Sequence, residues 1–77
     1  MSQWGSAKSR KVLQALLSIG WQVKRQTGSH KVLSHSNYPD FVFAFHEGVE
    51  IGPKMLSRIA KKTGLKPEHL SPPAYSL

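Results

Sequence analysis

The sequence predicts an α+β fold with the element order α-β-β-β-α, in which two helices cover one face of a three-stranded antiparallel sheet. Two stretches with the apolar period of a helix flank three short stretches in which apolar and polar residues alternate. Short turns separate the strand candidates, which favours an antiparallel meander. Placing both helices on one face buries both apolar stripes and leaves the other sheet face open or covered by a partner.

The first helix is predicted over residues 8–19, with Ser6 or Ser9 as the side chain that caps its N-terminus. Its apolar side chains have the i, i+1, i+4, i+5 spacing of a single stripe. These side chains are Val12, Leu13, Leu16 and Leu17. Gly20 follows and can adopt the positive φ that commonly ends a helix, so the chain is expected to turn there.

Three strands are predicted because runs rich in apolar residues are separated by clusters of turn-forming residues. The strands span residues 21–26, 30–35 and 41–45. Thr27 and Gly28 are expected to form the first turn, and residues 36–40 the second. Connections this short place each strand beside the next one in the chain.

Side-chain alternation assigns faces to two of these strands. In the first strand, Trp21 and Val23 share a face. One face of the third strand carries Phe41, Phe43 and Phe45, and the other carries Val42, Ala44 and His46. In the second strand Val32 and Leu33 are adjacent and both apolar, so alternation does not decide which way the side chain of His30 points.

The second helix is predicted over residues 53–63, because Pro53 suits a first turn and Gly64 suits the position after the last. Its apolar stripe consists of Met55, Leu56, Ile59 and Ala60. Leu65 is expected to fold back onto this helix, and residues 67–70 could form one more helical turn.

The length of 77 residues favours one domain, predicted over residues 1–70, followed by a flexible tail at residues 71–77 that contains two adjacent prolines. The absence of cysteine excludes disulfides and thiolate metal sites. No apolar run reaches the roughly 18 residues of a membrane span, and the N-terminus has no apolar signal-peptide segment. We therefore expect a cytoplasmic protein without a membrane partner.

The charge is strongly positive, since eleven Lys and Arg residues oppose four Asp and Glu for a formal net charge of +7. Such a field concentrates polyanions, so nucleic acid is the first partner class to consider, an acidic protein the second and an anionic membrane the third. On the second helix, Lys54, Arg58 and Lys61 fall within about 60° of one another, opposite the apolar stripe. No acidic residue lies between Lys54 and Lys66. Phosphate contact is therefore slightly favoured, although solubility alone could explain the charge.

The turn Gly28-Ser29-His30 is the leading candidate for chemistry. Imidazole titrates near neutral pH, so His30 could act as acid or base when a ribose 2′-OH attacks the adjacent phosphate. The cations that could stabilise the resulting phosphorane are Lys24, Arg25, Lys31 and Lys54. An exposed turn histidine that only binds a backbone carbonyl explains His30 equally well.

Three further histidines are present. His35 is predicted to be a surface residue, and His69 lies near the tail. His46 is either a second proton-transfer group or a residue that only occupies space at the sheet edge, and the second interpretation is favoured. Because a zinc site needs three or four ligands in close geometry, these spacings predict no metal site, and we expect no cofactor.

The motifs from Gly20-Trp21 to Gly28-Ser29-His30 resemble those of the HicA (YcfA-like) mRNA interferase toxins, whose hallmark is a Gly-Ser/Thr-His turn after a strand that begins with an aromatic residue. Phe45-His46, residues 51–59 and Gly64-Leu65 are similar to the later motifs of that family. The resemblance covers about residues 7–66. The chain departs from the family at two positions. They are Ala44, where many relatives have proline, and Leu33, where an aromatic residue is frequent.

The resemblance implies a fold like that of double-stranded-RNA-binding domains, metal-independent cleavage of mRNA, and His30 as the active-site acid or base. It also implies a HicB-like antitoxin as partner, which covers the active site and whose acidic face would suit the charge of +7. The residues expected to contact RNA are Lys24, Arg25, Gly28, Ser29, Lys31, Lys54, Arg58 and Lys61.

Two alternatives stay open at this point. One is a non-catalytic RNA-binding module of the double-stranded-RNA-binding-domain type, which also carries a histidine between its first two strands and lysines on its last helix. The other is a protein-interaction domain or inactive relative that uses the open sheet face.

Overall fold

A computed structural model describes residues 4–70 and has the predicted order of two helices around a three-stranded sheet. The principal elements are α1 (Ser9–Ser18), β2 (Gln22–Thr27), β3 (His30–His35), β4 (Tyr38–Ala44) and α2 (Pro53–Thr63). Two short strands, β1 (Ala7–Lys8) and β5 (Glu50–Ile51), form a second sheet that the sequence did not predict, and a 3₁₀ turn spans Pro67–His69. The predicted flexible tail at residues 71–77 lies outside the described residues.

The main sheet has the strand order β2-β3-β4 with antiparallel pairing throughout, so the predicted meander is confirmed. The bounds of β3 and α2 agree with the prediction. Strand β4 begins earlier than predicted, at Tyr38, because Ser36 and Asn37 suffice for the turn. Pro39 is compatible with this assignment because β4 lies at a sheet edge, where a missing N–H can be tolerated.

One hydrophobic core fills the space between the helices and one face of the main sheet, as predicted. Its buried members are Val12, Ala15, Leu16, Trp21, Leu33, Phe43, Ile51, Leu56, Ile59 and Leu65. Phe41 and Phe45 pack against it from the same face of β4 as Phe43, whereas Val42 and Ala44 are exposed on the other face. The three-phenylalanine face therefore points inward, and the opposite sheet face is open.

Trp21 joins the sheet to the end of α2. The side chain is 1% exposed, and its indole N–H donates to the backbone oxygen of Thr63 at 3.1 Å. The Thr63 hydroxyl in turn donates to the carbonyl of Ile59 and accepts the N–H of Leu65. Gly64 has a φ of 78°, so α2 ends as predicted and Leu65 folds back into the core.

Leu17 and Met55, which were assigned to the apolar stripes of the helices, are 42% and 50% exposed. Val23, which was expected to share a face with Trp21, is 43% exposed. In α1 the buried stripe runs through Val12, Ala15 and Leu16, so the small Ala15 takes the place assigned to Leu17. Val23 lies on β2, an edge strand whose residues are all exposed because the helices pack under β3 and β4. The side chain of Met55 faces a groove beside β4, described below.

The predicted serine cap of α1 is also wrong. Lys8 occupies the N-cap position and makes no side-chain capping bond. Ser9 is the first helical residue, and its hydroxyl and backbone N–H both donate to the carbonyl of Val49. This hydroxyl therefore makes a long-range hydrogen bond that holds the 45–49 loop against α1, and it does not cap the helix.

Adjacent leucines of α1 provide a matched test of this packing. Leu16 is fully buried and Leu17 is largely exposed. Leu16→Ala should lower the free energy of unfolding by about 2–5 kcal/mol, because it leaves a cavity in a small core. Leu17→Ala should change it by no more than about 0.5 kcal/mol. Urea unfolding followed by circular dichroism measures both, and equal losses would contradict the assigned helix orientation.

Candidate active site

The side chain of His30 is exposed on the open face of the sheet. The residue begins β3, the middle strand, and lies opposite Thr27 of β2 and Ala44 of β4. Opposed residues in antiparallel strands share a face, and Ala44 and Val42 are on the exposed one. Leu33 of the same strand is fully buried and therefore points to the core. These contacts decide the orientation that the alternation of β3 left open.

Gly28 and Ser29 form the turn that presents His30. Gly28 has a φ of 58°, in the left-handed region that glycine adopts without a Cβ penalty. The backbone oxygen of Ser29 accepts the N–H of Phe45 at 2.7 Å, which ties this turn to the end of β4. Within residues 4–70 the imidazole of His30 makes no hydrogen bond. The site thus has a backbone held on both sides and a ring free to engage a ligand.

The predicted cations around His30 are divided between the two faces. Arg25 lies opposite Val32, on the same side of the sheet as His30, and forms no ion pair within residues 4–70. Lys24 is the extra residue of a β-bulge and pairs with Asp40 at 2.8 Å, in a contact that crosses β3. The core fills the other face, so this ion pair lies on the open one.

Lys31 has a different environment from the other predicted cations. Its ammonium group lies 5.1 Å from the centre of the Phe45 ring and donates to the side-chain oxygen of Gln26 at 2.6 Å. Lys31 is paired with Phe43, whose side chain points inward. The structure therefore places Lys31 at the margin of the inner face, on the opposite side of the sheet from His30.

The basic stripe of Lys54, Arg58 and Lys61 is exposed on α2, in the helical layer beneath the sheet. The helix runs antiparallel to β4: Met55 and Arg58 line a groove with residues 41–44, whereas Lys61 faces residues 38–41. The stripe thus begins near the end of the sheet that carries His30 and extends about 10 Å away from it.

A further group of cations lies at the end of β1 and the start of α1 and was missed by sequence reasoning. Lys8, Arg10 and Lys11 line a surface cavity of about 420 Å³ with Glu47, which forms an ion pair with Arg10. The run of cations was visible in the sequence. Its proximity to Glu47 was not, because that depends on how the 45–49 loop is held between Ser9 and the Ser29–Phe45 contact.

His35 and His69 differ from His30 because their rings make hydrogen bonds, and the prediction that His35 is a surface residue is wrong. The His35 ring is half-buried between Trp21 and Tyr38, at centroid distances of 5.1 and 4.9 Å. Its Nδ1 accepts the backbone N–H of Asn37, so Nε2 carries the proton and donates to the carbonyl of Ile19 at 3.1 Å. The ring is therefore a structural bridge.

His69 accepts the N–H of Lys66 through Nδ1 and stabilises the final 3₁₀ turn. His46 is exposed just beyond β4, next to the residue that pairs with Ser29. No group of three or more His, Asp or Glu side chains in residues 4–70 is arranged to hold a metal ion. The helices of this part of the chain are also too short and polar to cross a bilayer.

These features define a small, basic α+β domain that presents one unengaged histidine on an open sheet face. A sequence model of the family described as "HicA toxin of bacterial toxin-antitoxin" matches residues 9–65. The match covers well over half of the chain, which therefore belongs to the HicA toxin family. The protein is accordingly a toxin of a toxin–antitoxin pair, and an antitoxin is its partner. No curated protein sequence matches the chain closely enough to be a relative.

The two histidines of β3 should respond differently to substitution. His35→Ala removes ring packing and two hydrogen bonds, and should lower the free energy of unfolding by about 1–3 kcal/mol. His30→Ala removes an exposed ring and should change it by at most about 0.5 kcal/mol. Thermal and urea denaturation measure both. A large loss from His30→Ala would show that His30 has a structural role instead.

Proposed function

We propose that this toxin is an endoribonuclease that cleaves mRNA without a metal ion, with His30 as its active-site acid or base. The observation that carries the proposal is the unengaged imidazole of His30, held by a fixed turn on the open face of a basic domain. An imidazole so exposed contributes no packing to the core, which is consistent with a role towards a ligand.

The proposed reaction is transfer of the RNA phosphate to its own ribose. The 2′ oxygen forms a bond to phosphorus while the bond from phosphorus to the 5′ oxygen of the next nucleotide breaks. A base takes the 2′ proton and an acid supplies a proton to the leaving 5′ oxygen, so the products are a 2′,3′-cyclic phosphate and a free 5′-OH. His30 performs one of these two transfers. His46, which follows the residue paired with Ser29, is the candidate for the other.

The surrounding groups suit a phosphorane intermediate. Arg25 shares the face of His30 and can contact a non-bridging oxygen through its guanidinium group. A Cβ added at Gly28 would meet no atom within 4 Å, so the turn leaves room for a nucleotide close to its backbone. Ser29 contributes a hydroxyl beside it. The net charge of +7 attracts RNA from a distance, and Lys24, Lys31, Lys54, Arg58 and Lys61 extend the proposed contacts.

The antitoxin partner is proposed to be HicB-like and to cover His30. An open sheet face that carries the active-site histidine would be inactivated by any protein that lies across it. Since mRNA is the proposed substrate, the proposed place of action is the cytoplasm.

A non-catalytic RNA-binding module is the second candidate, favoured by the order of elements and by the cations of α2. It would bind duplex RNA in preference to single strands and release it steeply as salt rises. Binding without any cleavage product would favour this candidate over the endoribonuclease.

His30→Ala should slow RNA cleavage by about 10²–10⁴-fold, the usual contribution of an acid or base catalyst. The measurement is single-turnover cleavage of a labelled single-stranded RNA in EDTA, with product ends tested for the cyclic phosphate. His69→Ala is a matched control, because His69 lies in the C-terminal turn and should retain cleavage. Cleavage that needs added metal, or that persists in His30→Ala, would refute the proposal. Growth arrest on induction of wild type but not of a folded, equally abundant His30→Ala protein would extend the result to cells.

Arg25→Ala and Lys61→Ala should affect different steps. Loss of Arg25 should lower the cleavage rate at saturating RNA by about tenfold, because that charge lies on the face of the reaction. Lys61 lies at the far end of α2, so its loss should leave that rate unchanged. If Lys61 contacts a phosphate, its loss should also reduce the salt slope of single-strand binding by about 0.7. A lower saturated rate for Lys61→Ala alone would contradict the assigned geometry.

A further inference from the structure

Strand β4 has a free backbone edge. The N–H of Phe45 donates to Ser29, and antiparallel ladders alternate, so Phe43 and Phe41 also direct their backbone groups towards β3. The N–H and C=O groups of the intervening Val42 and Ala44 therefore point away from the sheet. No strand within residues 4–70 pairs with that side of β4.

A groove of about 340 Å³ runs between this edge and α2. Its walls are Val42 and Ala44 on the strand side and Met55 and Ile59 on the helix side. Val42 and Ala44 line the groove through the edge of their strand, since their side chains are on the open face, whereas the side chain of Met55 in the groove is 50% exposed. Free strand backbone beside exposed apolar side chains is the arrangement that accepts an added strand in β-augmentation.

The helix wall of this groove is cationic. Arg58 and Lys62 line it, and Lys62 also lines an adjoining cavity together with Lys61. The two cavities share Phe41 as well as Lys62, so they form one channel along β4. The carboxylate of Asp40, which borders the second cavity, pairs with Lys24 across the sheet. Helix α2 itself contains no acidic residue, so these cations have no counter-charge on their own element.

We propose that the β4 edge binds an extended segment of an acidic protein, which joins the sheet as a fourth strand. The backbone of the segment would pair with Val42 and Ala44. The side chains of the segment that point towards α2 would then be apolar beside Met55 and Ile59, and acidic beside Arg58 and Lys62. This site lies on the sheet edge instead of the face of His30, so the proposal holds whether or not the protein cleaves RNA.

Other occupants fit the channel less well. A phosphodiester strand offers phosphate acceptors, which would leave the carbonyls of Val42 and Ala44 without donors and would cross an apolar floor. A second copy of this chain would bring the same cations to the same groove, and like charges across an interface are unfavourable. Residues 71–77 contain no acidic side chain to complement Arg58 and Lys62.

The first test is an NMR titration of ¹⁵N-labelled protein with a blocked eight-residue peptide in which pairs of valines alternate with pairs of glutamates, so that each face of the strand carries both residue types. The amide signals of Val42, Ala44 and Met55 should shift, and exchange of the Val42 and Ala44 amides should slow at least threefold. The same peptide with lysine in place of glutamate is the control and should bind at least tenfold more weakly. The titration should extend to about 5 mM glutamate peptide, which detects even a complex with a millimolar Kd. Absence of shifts at that concentration would overturn the proposal. Equal binding of the two peptides, shifts confined to Arg25 and residues 28–30, or displacement of the peptide from Val42 by oligouridine would also overturn it.

Variants of the edge separate backbone pairing from charge. Val42→Pro removes the N–H that points into the groove and leaves the hydrogen bonds between β4 and β3 intact. It should therefore lower the affinity for the glutamate peptide at least tenfold. Val42→Ala keeps that N–H and should bind within threefold of wild type. The proline variant is compared only if its spectrum is as dispersed as that of the wild type. If it is not, the double variant Arg58→Glu, Lys62→Glu tests the same site through charge, and its affinity for the glutamate peptide should also fall at least tenfold. Wild-type affinity in either folded variant would overturn the proposal.

Discussion

The hydrogen bond from the Trp21 indole to the backbone of Thr63 ties the two ends of the domain together. It joins the residue that enters β2 to the last residue of α2, 42 positions later in the chain. A buried indole N–H without an acceptor is unfavourable, so this bond and the burial of the large ring depend on each other. His35 and Tyr38 pack on the same ring, which places the β3–β4 turn against it. The end of α2, which borders the β4 groove, is therefore held by this bond together with the core packing of Leu56 and Ile59.

The two faces of the main sheet have different roles. Its inner face supplies Leu33 and Phe43 to the core, and its open face presents His30 and Arg25. Because neighbouring residues of a strand point to opposite sides, one six-residue strand carries both a core leucine and the proposed acid or base. The Ser29–Phe45 hydrogen bond fixes the turn between these faces, so the position of the histidine is set by backbone contacts and does not require a buried side chain.

The elements that the sequence predicted well are those with strong local signals. Pro53 and Gly64 marked the ends of α2, and the alternating phenylalanines of β4 marked the inner face. The errors concern contacts between distant residues. The recruitment of Ser9 by Val49, the pairing of β1 with β5, and the stacking of His35 on Trp21 all depend on tertiary packing. For the candidate site, the histidine turn was evident from the sequence, whereas the exposure of His30 became known only once Leu33 was found in the core.

Because His30 is exposed, a copy of the toxin that lacks this side chain can still fold and can coexist with active copies in one cell. A protein that has lost this ring still has its complete core, since His30 is not among the residues that form it. Such a copy would remain folded and could still occupy an antitoxin molecule. On the proposed role of His30, such a copy would be inactive and would act as a decoy, which by titrating the shared antitoxin would release active toxin in the same cell.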